Sequence, residues 1–234
     1  YLTHDKGLEV HSAIVNTGGF SEEELKTIEQ KAYDLGVKSH VSLEETTNYY
    51  EKIIKYLIYG NVLKNNTYPL SVSAERIYQA IALAEYARKT GSSYIAHGST
   101  GAGNDQVRFD LVFQLLAPEL EIITPIRDLQ LSRKEEIEYL AKHGLHIDWK
   151  KAQYSINKGL WGTSVGGAET LTSHQGLPDN AYPSPLVEET PKTIELEFDK
   201  GELVGVDGEK MNPVKAIQTL ENIANKYAIG RDIH

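Results

Sequence analysis

Two rhythms of apolar residues alternate along the first 145 positions. Short runs at 8–15, 37–43, 93–98 and 120–125, the first carrying β-branched residues, have the length and texture of strands. Between them, apolar positions recur every three or four residues, the spacing of one helical face. The first such stretch opens on Ser21 with Glu24 three residues later, a capping box; it carries Leu25, Ile28, Ala32 and Leu35 and stops at Gly36. A second covers 45–63 with Tyr49, Ile53, Tyr56 and Leu57 as its stripe. A third, rich in alanine, runs from 74 to the stop at Gly91, a fourth spans 104–116, and a fifth covers 132–143 with a Ser132/Glu135 box. Strands alternating with helices at this spacing predict an α/β fold with a mostly parallel sheet covered on both faces, 93–98 being a buried strand. Ligands of such sheets sit beyond the carboxyl ends of the strands, here at 15–19 and 98–103.

Beyond residue 149 the rhythm breaks. The stretch 153–191 is rich in Gly, Ser, Thr and Pro without a clear period and reads as a long irregular segment. Residues 192–208 alternate around Lys200 and Gly201, a hairpin pattern, and Asn212 with Pro213 caps a last helix. The expected division is therefore an α/β domain over 1–149 and an α+β domain over 150–234, with no internal repeat.

Composition narrows the function classes. With 40% apolar residues, a chain of 234 can bury one good core or a large and a small one. No apolar run approaches the roughly 20 residues of a membrane span, and no signal-peptide pattern is present, so a cytoplasmic location is expected. The absence of cysteine removes disulfides, thiolate zinc sites and thiol nucleophiles. A net charge of −9 argues against a nucleic-acid surface, whose affinity comes largely from neutralised phosphates, and favours a small-molecule ligand. The opening at Tyr1 without methionine, and the close soon after Gly230, lead us to expect a piece of a longer protein.

The stretch His97-Gly-Ser-Thr-Gly-Ala-Gly-Asn-Asp-Gln-Val-Arg-Phe109 carries the candidate chemistry. Gly98 and Gly103 have the span of a P-loop, yet Asn104 and Asp105 follow in place of the lysine and hydroxyl residue that bind phosphate and magnesium. A dinucleotide fingerprint fails as well, for want of its third glycine. A strand end, a glycine loop and a helix start still make an anion site, with Asn104 and Arg108 one turn apart on the same face. Arg108 offers a fork for a carboxylate, Asn104 a donor and an acceptor, and Asp105 an acceptor for an ammonium group, a set that fits an amino acid. Equally open at this point is that Asn104 and Asp105 merely cap the helix while Arg108 pairs on its surface.

This stretch, with Tyr-Pro-Leu-Ser-Val-Ser at 68–73, Tyr-Ser-Ile-Asn-Lys-Gly-Leu-Trp-Gly-Thr-Ser at 154–164 and Gly-Arg-Asp-Ile at 230–233, resembles the argininosuccinate synthase family along nearly the whole chain. The resemblance implies an adenine-nucleotide hydrolase-like domain of the ATP-pyrophosphatase class followed by a synthetase domain. It implies ATP-dependent ligation of citrulline and aspartate in arginine biosynthesis, releasing AMP and pyrophosphate, with magnesium accompanying ATP and a homotetramer as the full-length assembly. It further implies that Thr100, Asn104 and Asp105 hold aspartate, that Tyr68, Ser73, Asn104, Arg108, Ser155 and Ser164 hold citrulline, and that Val15 and Gly98 face ATP. Asp105 is the candidate for unmasking the aspartate amine; no metal-ligating residues are implied. The family's first strand and its Ser-Gly-Gly-Leu-Asp-Thr-Ser pyrophosphate loop are not in this sequence. Neither is the C-terminal part that supplies a Glu and a Tyr to citrulline and a helix for assembly. The chain by itself is therefore expected to be an inactive ligase. Two alternatives are another synthetase of the same class with a different acceptor, and a non-catalytic amino-acid-binding protein.

Other features have plainer readings. His143 and His146 are expected to be a helix-end pair, Glu22 to Glu24 a solvated helix start, Trp161 a packed anchor for the irregular segment, and Tyr49, Tyr50 and Tyr56 core. His97 reads equally as a satisfied structural histidine or as a ligand neighbour.

Overall fold

The computed structural model describes residues 1–101, 103–131, 133–145 and 154–231. They form two compact units: Tyr1–Val72 together with Tyr154–His234, and Ser73–Gln153.

The first unit opens with strand β1 (His11–Asn16), helix α1 (Glu22–Asp34) and strand β2 (Ser39–Glu44). β1 and β2 pair in parallel from His11 opposite Ser39 to Asn16 opposite Glu44, and α1 is the crossover. The Ser21 capping box forms as expected: the Ser21 hydroxyl accepts from the Glu24 amide and the Glu24 carboxylate accepts from the Ser21 amide. Glu22, Glu23 and Glu24 lie solvated in the first turn. Leu35, expected on the buried stripe, is exposed, because the helix has ended by Asp34 and Leu35 is its C-cap, with Gly36 at φ +84° behind it.

The stretch 45–63 departs from its expected stripe. It consists of α2 (Thr46–Tyr49), a π-helical turn (Tyr50–Ile54) and α3 (Lys55–Tyr59). A π turn inserts one residue per turn, so the inward face shifts in phase. Tyr49, Tyr50 and Ile54 are fully buried, while Tyr56, expected in the core, is 59% exposed.

The second unit is built from α4 (Ser71–Lys89) from Ser73 onward, β3 (Tyr94–Ala96), α5 (Asp105–Leu116), β4 (Glu121–Ile123), α6 (Pro125–Leu129) and α7 (Arg133–Lys142). β3 and β4 pair in parallel, Ile95 opposite Ile122. Ala80, Ala84 and Ala87 of α4 pack on Ile95, Val112, Phe113 and Leu120 to form its core. The small alanine faces let α4 approach the strands closely. Of the expected buried strand only Ile95 is buried, with Tyr94 and Ala96 exposed on either side. The expected parallel pairing is thus present as two two-stranded sheets among the described residues. α6 is an addition, started by Pro125 at its first position. The Ser132 half of the second capping box lies outside the described residues, as does His146; His143 sits at the end of α7 against the Tyr139 ring.

The return to the first unit corrects the irregular reading of 153–191 over 154–167; from 168 to 191 the chain carries only two short 3-10 turns, as an irregular segment should. β5 (Tyr154–Gly159) and β6 (Gly162–Gly167) form an antiparallel hairpin with Leu160 and Trp161 at its tip. Gly162, at φ +133°, supplies the backbone that the tight connection needs. The alternation that encodes it is there in the sequence, but Ser, Asn, Thr and Gly on both faces hide it. The expected hairpin follows as β7 (Leu196–Asp199) and β8 (Glu202–Val206), and a third strand, β9 (Glu209–Lys210), extends it. Both turns, Lys200-Gly201 and Asp207-Gly208, place two consecutive residues at positive φ, the type I′ geometry that matches strand twist. The helix α8 (Pro213–Lys226) is capped by the Asn212 side chain, which accepts from the Lys215 amide over 2.9 Å. Its Ala216, Leu220 and Ile223 pack on Leu203 and Val206. The class is α/β, with both parallel and antiparallel sheets.

Candidate functional site

The glycine loop leaves β3 and leads into the N-terminus of α5. Its glycines answer no local demand of the described residues. Gly98, Gly101 and Gly103 all lie outside the left-handed region. A Cβ placed on them would meet nothing nearer than 3.9 Å (Ile126), 3.8 Å (Arg127) and 3.8 Å (Thr100) respectively. Glycine is normally kept for positive φ or for close approach, and among the described residues the chain supplies neither here. The open side of the loop is therefore where another molecule can come close to backbone.

At the start of α5 the side chains of interest gather on one turn. Asn104 occupies the N-cap position but its side chain caps no backbone amide, so the pure capping reading fails for it. Asp105 is engaged at both oxygens: Oδ1 accepts from Nη1 of Arg108 at 2.7 Å, and Oδ2 from Nε of Arg76 at 3.3 Å. The surface-pairing reading thus holds for Arg108, and Arg76 is an addition. Arg76 also donates to Gln79 at 2.8 Å and lies 3.6 Å from the buried Glu75 carboxylate. Its recruitment had no local signal, because Arg76 and Asp105 are 29 residues apart and meet only when α4 packs beside α5. Thr100 is exposed on the loop. Gly98, Thr100, Asn104, Asp105 and Arg108 are thus brought together on one loop and helix start of the second unit, with Ser73 in the first turn of α4.

His97 is a satisfied residue. Its Nδ1 accepts from the Ser99 amide at 3.3 Å, which leaves the proton on Nε2 to donate to Asp110 at 2.8 Å, and its ring stacks on Phe109. Burial works against the Asp110 charge, but Arg127 and His97 outweigh it and hold this carboxyl below its usual range.

In the first unit, β1 ends on Asn16, whose Oδ1 accepts from the Gly18 amide at 3.0 Å and whose amide donates to Glu44 at the end of β2. Gly18 takes φ +94°, and a Cβ on Gly19 would lie 2.0 Å from the Lys158 carbonyl oxygen. These two glycines are thus explained by the fold, unlike those of the second unit. Val15 is buried at 4% exposure, opposite Leu43.

Tyr68 turns its hydroxyl to the start of α4, accepting from the Val72 amide at 3.1 Å, and Trp161 donates its indole N–H to the Pro69 carbonyl at 2.9 Å. Trp161 therefore anchors the 67–71 turn, in which Leu70 sits at φ +57°. Tyr68, Trp161 and Ser164 line an open cavity of about 1320 Å³, together with one face of α8 and Arg231. Ser164 is directly opposite Asn157, and Ser155 lies two residues along on the same face, outside the cavity lining.

Comparison with known proteins follows the same line. A family model described as the arginosuccinate synthase N-terminal HUP domain matches residues 1–146. An argininosuccinate synthase of Methanocaldococcus jannaschii is 38% identical over 234 residues, covering 98% of this chain and 59% of its own length. Those of Sulfurisphaera tokodaii and Sulfolobus acidocaldarius are 36% and 37% identical over the whole chain and 60% of their own lengths. The chain spans about three-fifths of the length of the curated relatives it matches. With its glycine loop, its Asn104-Asp105 turn and a family match over more than half its residues, the chain belongs to the argininosuccinate synthase family.

Proposed function

We propose that the full-length protein carrying this chain joins L-citrulline to L-aspartate at the expense of ATP. The ureido oxygen of citrulline attacks the α-phosphorus and pyrophosphate leaves; the aspartate amine then displaces AMP to give argininosuccinate, a step of arginine biosynthesis. The observation that carries this reading is the glycine loop, whose glycines are crowded by no described residue and which opens on a helix start bearing Asn104, Asp105 and Arg108.

In this reading Thr100, Asn104 and Asp105 hold aspartate, Asp105 taking its ammonium group and aiding its deprotonation. Arg108, Asn104, Tyr68, Ser73, Ser155 and Ser164 hold citrulline, and Val15 and Gly98 face the adenosine and phosphates of ATP. Positioning is most of the task, because the ureido carbon, once its oxygen is adenylylated, reacts when the amine is held against it. Among the described residues no group of three His, Asp or Glu side chains converges on a metal position. Magnesium would arrive with the nucleotide. Residues 1–149 would form the nucleotide-binding domain and 150–234 part of the synthetase domain, in a cytoplasmic homotetramer of the full-length protein. No described helix is long and apolar enough to cross a membrane.

The test is release of pyrophosphate from ATP by the full-length protein, with each amino acid present or withheld. Citrulline-dependent release and aspartate-dependent argininosuccinate support the reading. Release that ignores citrulline would assign the protein to another synthetase of this class. Amino-acid binding without any turnover would make it a binding protein.

A further inference from the structure

Behind the glycine loop lies a ring of side chains that the proposed ligand contacts leave unassigned. Asp110 accepts from His97 Nε2 at 2.8 Å through one oxygen and from Arg127 through the other. His97 in turn accepts the Ser99 amide on Nδ1. On the other side, Nη1 of Arg127 donates to the Gln106 side-chain oxygen at 3.2 Å, and the Gln106 amide donates to the Gly101 carbonyl. The Cγ of Arg127 lies 3.8 Å from where a Cβ of Gly101 would stand. One ion pair, between α5 and α6, thus reaches the loop backbone twice, at the Ser99 amide and the Gly101 carbonyl.

These ties matter because the glycines lack side chains to pack and carry the largest conformational freedom on the chain. A loop of this kind presents converging backbone groups to a ligand only if something outside it restricts them, and a closed hydrogen-bonded network does so more effectively than separate pairs. His97, with 8% side-chain exposure, and Asp110, with 20%, sit where water competes weakly for these bonds.

We propose that Asp110 and Arg127 are positioning residues which, through His97 and Gln106, hold the Ser99 amide and Gly101 carbonyl in the ligand-receiving geometry. They act on affinity for the ligands of this loop, ATP and aspartate, and not on the chemical step. The ligand identities rest on the ligase reading; the positioning of the backbone does not.

The experiment uses the full-length protein with Asp110→Ala, Asp110→Asn and Gln106→Ala, and with Arg88→Ala, which breaks an exposed pair with Glu119, as control. Steady-state kinetics should show KM for ATP and aspartate raised roughly 3- to 10-fold in Asp110→Ala and Gln106→Ala, the range expected for one lost hydrogen bond. The kcat should stay within about twofold. Asp110→Asn, which keeps an oxygen for His97, should recover part of the loss. Amide hydrogen exchange at Ser99 and Thr100 should speed up in the same variants while exchange in the α5 core stays at the wild-type level. Folded variants with unchanged KM and unchanged loop exchange would overturn the proposal, and so would losses confined to kcat. Should Asp110→Ala fail to fold, Gln106→Ala, whose bond to Gly101 is at the surface, decides alone. If the wild type shows no citrulline-dependent pyrophosphate release, the ligase reading falls, and the exchange comparison still decides whether the ring holds the loop.

Discussion

Arg108 closes on Asp105 three residues earlier on the same helix, 2.7 Å from Nη1 to Oδ1, while Arg76 from a neighbouring helix takes the other oxygen. The carboxylate that would receive a substrate ammonium group is therefore already oriented before substrate arrives. Its direction is set by two guanidinium groups, one of them largely buried, and an incoming ammonium would have to share it with them.

Asp105→Asn in the full-length protein keeps the size of the group and removes its charge. Citrulline-dependent pyrophosphate release should continue, while argininosuccinate formation falls at least ~100-fold, the scale of a lost acid-base or charge partner. Radiolabelled ATP and aspartate in a single-turnover assay separate the two steps; unchanged argininosuccinate formation would remove Asp105 from the mechanism.

Two glycine substitutions should behave oppositely. Gly19→Ala puts a methyl 2.0 Å from the Lys158 carbonyl oxygen and should destabilise by about 2 kcal/mol or more, as overpacking against backbone does. Gly98→Ala meets only Ile126 at 3.9 Å and should leave stability within about 0.5 kcal/mol, yet weaken ATP binding. Urea melts and ATP titration check the pair, and equal stability losses would contradict the distinction.

Glu202 accepts from Tyr50 at 2.6 Å and Tyr59 at 2.8 Å, and these bonds hold its carboxyl below the usual value of 4.5. Burial and the facing carboxylate push the Tyr50 hydroxyl well up, so it remains a donor at neutral pH. A depressed carboxyl stabilises the fold when ionised. The contribution is present above about pH 4.5 and is lost as pH falls through the lower folded value. Glu202→Gln should be about 1 kcal/mol less stable than wild type at pH 7, with the gap narrowing toward pH 3. Chemical denaturation at both pH values measures it; a gap that widens in acid would contradict the assignment.

Trp161→Phe keeps an aromatic ring but removes the pyrrole half of the indole and with it the N–H that reaches the Pro69 carbonyl. The expected loss is about 1 kcal/mol, and citrulline affinity should fall with it, since Tyr68 lies in the same anchored turn. Calorimetry with citrulline on the full-length protein tests this, and unchanged affinity would separate the turn from the site.

Much of the local structure was legible from residue types alone. The Ser21 and Glu24 box, the Asn212 cap and the Lys200-Gly201 turn appear where the sequence predicts them, because each is closed by bonds spanning two to four residues. The strand-helix alternation led correctly to parallel pairs. The β5–β6 hairpin was missed because its faces carry no contrast of polarity, and the stripe of 45–63 was misread because a π turn changes the period on which such a stripe depends. At the candidate site, Asn104, Asp105 and Arg108 stood out by type and spacing. Arg76, Asp110 and Arg127 did not, since ordinary charged residues on helices give no sign of which partner they will meet.

The sequence by itself determined where helices begin, which turns reverse the chain and which short loop is rich in glycine, since these follow from residue type, backbone sterics and bonds within a few residues. Only the tertiary structure decided that Gly19 is required by Lys158 while, among the described residues, nothing presses on Gly98. It likewise decided that Tyr50 and not Tyr56 is core, and that Asp105 is shared by two arginines. Those outcomes depend on which surfaces meet across tens to more than a hundred residues, and close packing fixes such meetings only once the whole set of elements is in place.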